Sequence, residues 1–209
     1  FPASIRSRRW CTATPPAWPA GETKPSHIAF VIDTSGSMHD PATGALWPIV
    51  LRKIDEVLDA HPNLAGMQFI DADGRFIFGG ATDWLPMNQQ TRGNAIARLK
   101  TSDQETISNP VPGIYSAMRS LSPSVGADQH LAIYVLGDEF TEDAGRALAT
   151  VRQLNPATPT GPRVTINAIA IPTTIRYQFS MRNTGLKFSA LMRELTHENG
   201  GVFVALPDL

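Results

Sequence analysis

The chain has 209 residues, 42% of them hydrophobic and 18% charged, with a formal net charge of −1. That length fits one large domain or a domain with an appendage, and the near-neutral charge gives no electrostatic reason to expect nucleic acid or anionic lipid as a partner. The longest apolar runs are far too short to insert in a bilayer. Cys11 is the only cysteine, which excludes an intrachain disulfide but leaves cytoplasm, periplasm and cell surface all open. Phe1 stands where an initiator Met would be, so the chain is expected to be part of a longer protein.

Residues 1–25 differ from the rest. Arg6, Arg8 and Arg9 lead to Trp10, then to Pro15, Pro16, Pro19 and Pro25. This reads as a linker or strap, with Trp10 and Trp18 free to pack on the domain or on an upstream one. The domain proper is expected over residues 26–209. Residues 27–33 (HIAFVID) form a short apolar run, the mark of a strand buried on both faces. Leu46, Trp47, Val50, Leu51, Ile54, Val57 and Leu58 then recur at helical spacing, with Pro48 in the first turn where a helix tolerates it. Residues 67–71 and 75–78 read as a hairpin around Asp73-Gly74. A polar helix is expected over 91–99 and another from Asn109-Pro110, with Val111, Ile114, Tyr115, Met118 and Leu121 on one face.

Residues 131–136 (LAIYVL) are a second apolar strand. Thr141 is expected to cap the next helix, with Glu142 and Asp143 in its first turn. Residues 164–171 (VTINAIAI) are a third strand, followed by an Arg-rich loop over 175–187, a helix carrying Leu191, Met192 and Leu195, and a last strand over 202–205. Apolar strands alternating with amphipathic helices imply an α/β fold: a doubly wound, mostly parallel sheet with one antiparallel edge strand and helices on both faces. Ligands in such sheets bind beyond the carboxyl ends of the strands, where strand order reverses.

The chemistry-bearing residues fall at those ends. The first strand runs into Asp33-Thr34-Ser35-Gly36-Ser37, one carboxylate and two hydroxyls where the chain turns into a helix, with Gly36 expected to supply backbone freedom. Helix capping alone would explain Asp and Ser there. Asp138 after the 131–136 strand adds a second carboxylate, and Thr106 adds a hydroxyl from the loop before the 109–110 helix start. Three separated segments thus deliver only oxygen donors, the preference of hard cations such as Mg²⁺, with Mn²⁺ or Ca²⁺ as rivals. The remaining candidates are weaker. Asp71-Ala72-Asp73-Gly74 lacks the Glu of a calcium loop, and the five histidines are scattered. His197-Glu198 lacks a second His. No Gly-x-Ser-x-Gly elbow or phosphate-binding glycine loop occurs.

The segment FVIDTSGSM resembles the first part of the metal-ion-dependent adhesion site of the von Willebrand factor A family, which includes integrin inserted domains and many bacterial relatives. The resemblance extends over residues 26–205, through LGDE and the closing LMRELTHENGGVFVAL, and suggests a bacterial member. It implies Ser35, Ser37 and Thr106 as hydroxyl ligands, and Asp33 and Asp138 as carboxylates acting directly or through water. Thr101, in the same loop, is the rival of Thr106. The chain departs from the family at Gly137-Asp138-Glu139, where Thr-Asp-Gly is usual.

An ion held mainly by neutral hydroxyls keeps much of its charge, and the resemblance implies that a partner's Asp or Glu carboxylate completes its coordination. The expectation is a metal-dependent protein-binding or adhesion module, not an enzyme. His39, Asp40, Glu139, Arg176 and Arg182 are the candidate partner contacts. A substrate-adaptor domain for a partner ATPase is the alternative. A metal-assisted hydrolase is third, because no base beside Ser35 and no paired metal site is visible.

Overall fold

The computed structural model describes residues 24–39, 46–78, 83–101, 106–159, 161–171 and 183–206. The expected strap, residues 1–25, falls almost wholly outside them, as do Asp40, Arg176 and Arg182.

Three long parallel strands form the centre: β1 (His27–Ile32), β4 (Leu131–Gly137) and β5 (Val164–Ala170). With β2 (Gly66–Asp71), β3 (Leu85–Pro86) and β6 (Phe203–Ala205) they make a six-stranded sheet in the order β3-β2-β1-β4-β5-β6. Every pairing is parallel except β2 with β3. Each residue of β1, β2, β4 and β5 is buried, as a sheet covered on both faces requires. The pleat divides the side chains between two cores. Ile28, Phe30 and Ile32 point with Ala132, Tyr134 and Leu136 toward one face; Ala29 and Val31 point with Leu131, Ile133 and Val135 toward the other.

Helices α2 (Trp47–Ala60) and α3 (Gln89–Lys100) cover the first face. The stripe expected on α2 is the buried one, and the Trp47 indole N–H donates to the Leu99 carbonyl across the pair, 3.0 Å. Helix α3 buries only Ala95 and Leu99; Asn88 caps it, and Arg92 reaches Asp55 and Asp59 of α2. The other face is covered by α4 (Val111–Ser116), α5 (Ala144–Leu154) and α6 (Thr184–Glu198). After α4 the chain makes one wide helical turn, Ala117–Leu121, and a tight one, Ser122–Ser124. A one-turn helix, α1 (Gly36–His39), follows β1.

Two local expectations need correction. Thr141 is not the cap of α5: the Asp143 carboxylate accepts the Arg146 N–H at 2.7 Å, and the helix begins at Ala144. Asp and Thr both cap well, and periodicity alone could not choose between positions two residues apart. The hairpin after β2 is also only partly formed. Its turn is present, with Gly74 at φ +88° and Asp71 accepting the Arg75 N–H. Among the described residues, pairing across it consists of the Asp71 N–H to Arg75 carbonyl bond, an Ile70–Phe76 bridge and an Ile77 N–H to Phe69 carbonyl bond. The antiparallel edge strand comes from Leu85–Pro86, which pairs with the start of β2. There Gly66 makes room for Trp84, whose Cβ would lie 2.7 Å from any Cβ at position 66.

Asp71 gives a test of this corner. Its side chain is fully buried, its Oδ2 has no partner among the described residues, and burial raises its pKa above the ordinary 3.8 against opposing hydrogen bonds from the turn. A raised carboxyl stabilises the fold at pH values below its unfolded value, and that contribution is lost as pH rises through the folded value. Asp71→Asn keeps an acceptor for Arg75 and removes the charge. It is expected to match or exceed the parent in urea midpoint at pH 7.5 and to lose that advantage toward pH 4. Asp71→Ala, which orphans the Arg75 N–H, should cost about 1–2 kcal/mol at pH 7.5. Equal destabilisation by both at pH 7.5 would contradict the burial argument.

Candidate functional site

The chain leaves β1 toward β2 on one side and returns past it to β4 on the other, so strand order reverses between β1 and β4. Their parallel register aligns Ile32 with Leu136, and the Asp33 N–H continues the ladder by donating to the Leu136 carbonyl at 2.8 Å. Asp33 and Asp138 therefore emerge side by side at the carboxyl ends of two central strands, where a crevice opens in sheets of this kind. Gly137 permits the approach: a Cβ there would meet the Asp33 Cβ at 3.2 Å and the Phe188 ring at 3.3 Å.

Both carboxyl groups are buried, Asp33 at 0% and Asp138 at 2% exposure. Asp33 Oδ1 accepts the Ser35 N–H at 2.8 Å. Asp33 Oδ2 and both oxygens of Asp138 have no hydrogen bond of good geometry among the described residues. Burial raises the pKa of Asp33 despite the hydrogen bonds from Ser35 that pull it down. Asp138 is pushed up to about 8, first by burial, then by the charges of Asp33 and Glu139, with the Ser37 hydroxyl opposing the shift. Two carboxylates so close and so dry repel each other and lack solvation, so the site favours either a proton or a cation.

The hydroxyls sit beside them. Ser35 Oγ and Ser37 Oγ are 3.0 Å apart. Thr106 is drawn to the same loop through Thr34, whose backbone N–H and hydroxyl donate to Thr106 Oγ1 at 3.2 and 3.3 Å. This tie was not foreseen: Thr34 occupies a position of the Asp-x-Ser-x-Ser pattern that carries no demand of its own. Thr101 is exposed, and its hydroxyl donates to the Arg98 carbonyl at the end of α3. Gly36 has an ordinary φ and open space around it, so the loop does not rest on glycine's freedom; the positive-φ glycines among the described residues are Gly74, Gly161 and Gly200.

No group of three or more His, Cys, Asp or Glu side chains gathers among the described residues. A cation held at this crevice would depend on hydroxyl oxygens as much as on the two carboxylates. Of the expected partner contacts, Glu139 is half-buried next to Asp138. His39 is half-buried with its ring centroid 4.3 Å from that of Trp47, and burial lowers its pKa. No described helix is long and apolar enough to cross a membrane.

The strain of the carboxylate pair predicts an inverse effect of neutralising one member. In chelator at about pH 9, above the raised pKa of Asp138, Asp138→Asn is expected to stabilise the domain by at least about 1–3 kcal/mol, the cost of one buried group left unsatisfied. Chemical denaturation of parent and variant in chelator measures it. A variant less stable than the parent would show that the Asp138 charge is already compensated.

No protein-family model matches the sequence, and no curated protein matches it with significance. Solved structures do. The chain is similar to a von Willebrand factor type A protein from Catenulispora acidiphila (TM-score 0.63, 15% identity), over 88% of this chain and 39% of that one. It is similar to the SpRpn10 VWA domain (TM-score 0.53, 14% identity), over 89% of this chain and 90% of that one. It is also similar to the pilus adhesin SpaC from Lactobacillus rhamnosus GG in its open conformation (TM-score 0.52, 14% identity), over 89% of this chain but only 28% of the adhesin. The chain thus spans well under half the length of the first and the last. Identity at this level speaks for architecture alone, and the architecture of this chain is the von Willebrand factor A fold.

Proposed function

We propose that this domain is a cation-dependent protein-binding module. In this reading Asp33, Ser35, Ser37, Thr106 and Asp138 hold Mg²⁺, or Mn²⁺ or Ca²⁺ in its place, and a carboxylate from a partner protein completes the site. The observation that carries it is the pair of buried carboxyl groups, three of whose oxygens lack a hydrogen bond of good geometry among the described residues, beside two serine hydroxyls at the strand-order reversal. The donor set fits a hard cation, since every donor is oxygen and no thiolate or imidazole intrudes. When bound, such an ion supplies a concentrated positive charge with positions open to an outside oxygen.

The chain's own residues do the rest. Asp33 and Asp138 provide negative charge from two different strands. The Ser35–Ser37 loop and Thr106 add neutral oxygens, leaving the site short of negative charge relative to an all-carboxylate cage. That shortage favours an anionic group from outside. The bond from Asp33 Oδ1 to Ser35 N–H orients the loop toward the crevice. A binding role suits this constellation better than hydrolysis: Ser35 Oγ pairs with Ser37 Oγ, and the His39 ring lies against Trp47. Among the similar structures, one is a pilus adhesin and another is proximal thread matrix protein 1 of the mussel byssus, with TM-score 0.51 and 16% identity. These roles are in keeping with the proposal.

The domain buries two aliphatic layers without help from the site, so chelation is expected to leave circular dichroism unchanged. Mg²⁺ or Mn²⁺ at a hundredfold excess over Kd should add about 2.7 kcal/mol of stability. That increment should vanish in Asp138→Ala and in Ser35→Ala with Ser37→Ala. A partner captured in Mg²⁺ should be released by chelator and by neutralising one acidic residue of its own. Absence of any cation-induced shift in the unfolding midpoint, or capture undiminished in chelator, overturns the proposal.

A further inference from the structure

Large hydrophobic side chains left in water are rare on this surface. Among the described residues three stand out: Ile107 at 70% exposure, Leu186 at 66% and Val202 at 40%. Val202 precedes β6 and so lies at the amino end of that strand. The other two belong to the carboxyl end of the sheet, from elements on opposite flanks of the crevice. Ile107 follows Thr106, whose hydroxyl is bound to Thr34 of the site loop. Leu186 lies in the first turn of α6, whose Thr184 carbonyl accepts the N–H of Phe140, two residues beyond Asp138. Phe188 of the same helix packs under Gly137. The segments that carry Thr106 and adjoin Asp138 thus each expose one aliphatic residue.

Neither side chain is needed for the fold. Ile107 sits in a loop whose neighbour Asn109 is buried and supplies the bond that starts α4, accepting the Val111 N–H at 3.1 Å. Leu186 lies on the solvent side of a helix anchored by Phe188, Leu191, Met192 and Leu195. Exposed apolar groups beside a polar crevice lose contact with water when a partner covers them, and that loss favours association. Charge adds a second constraint. Glu139 stands next to Asp138 and its charge bears on both buried carboxyls. Glu139 lies outside the five donors and adds a negative charge beside the place where a partner's carboxylate would be held, so a second acidic group beside the first is repelled.

Building on the cation-dependent reading above, we infer that the partner presents a single acidic residue flanked by aliphatic side chains, with Ile107 and Leu186 as the specificity-determining contacts. A stretch of consecutive acids is disfavoured at the same site. The occupant is a protein segment rather than a free anion, because only a segment brings the carboxylate and the apolar groups together.

The test is a panel of labelled peptides titrated against the domain in Mg²⁺ and in chelator. One has a central Glu between Leu and Val residues, a second the same Glu between serines, a third Gln in place of Glu, and a fourth a run of acids. The aliphatic-flanked Glu peptide is expected to bind at least about tenfold more tightly than the serine-flanked one and than the acidic run, in Mg²⁺ only. Ile107→Ser and Leu186→Ser should each shrink that preference while cation affinity, measured by calorimetry, stays at the parent value. Equal, chelator-sensitive binding of the aliphatic- and serine-flanked peptides overturns the inference and leaves the cation-dependent reading standing. Binding that ignores chelator or the Glu-to-Gln change, or no binding by any peptide, removes both.

Discussion

The structure turns on the apposition of two carboxylates at the ends of neighbouring parallel strands. Parallel pairing of β1 with β4 aligns Ile32 with Leu136, which sets Asp33 level with Gly137 and brings Asp138, one residue further on, to the same tip. Asp33 and Asp138 are both dry, and three of their four carboxylate oxygens lack a hydrogen bond of good geometry among the described residues. Leaving such groups unpaired opposes folding. A domain that keeps them there holds an electrostatic cost at one point, and the proposed cation is the ligand that would relieve it.

The remainder of the fold supplies the rigidity that makes this arrangement possible. Two separate aliphatic cores, one under α2 and α3 and one under α4, α5 and α6, clamp the central strands from both faces. The strain at the tips is therefore met by packing along the whole length of β1, β4 and β5, where no polar ligand is needed. Polar pairing away from the site is devoted to joining elements. Asn155, for example, donates to the Val164 carbonyl and to Asn199, fixing α5 and α6 to the start of β5. Work is divided in this way between a core that stabilises and a rim that carries the polar candidates for binding.

Much of this was readable from the residues. The continuous runs at 27–33, 131–136 and 164–171 read as strands buried on both faces and fall on β1, β4 and β5, and helical spacing from Leu46 to Leu58 marked α2 closely. The candidate site residues stood out because chemistry and position coincided: oxygen donors clustered just past apolar runs. What escaped depended on tertiary geometry. The edge strand at Leu85–Pro86 is two residues long, too short for any pattern, and its pairing is decided by the space Gly66 leaves for Trp84. The bond from Thr34 to Thr106 joins residues 72 apart, which no local signal reveals. Exposure of Ile107 and Leu186 is likewise a property of the folded surface; in sequence each reads as an ordinary apolar residue.

The most direct measurement of the central claim is an anomalous difference map from crystals of the domain grown with Mn²⁺. The account predicts one strong peak at the β1–β4 crevice, within coordinating or water-bridged distance of Asp33, Ser35, Ser37, Thr106 and Asp138. A map with no peak there, or with manganese bound only elsewhere on the surface, would contradict it.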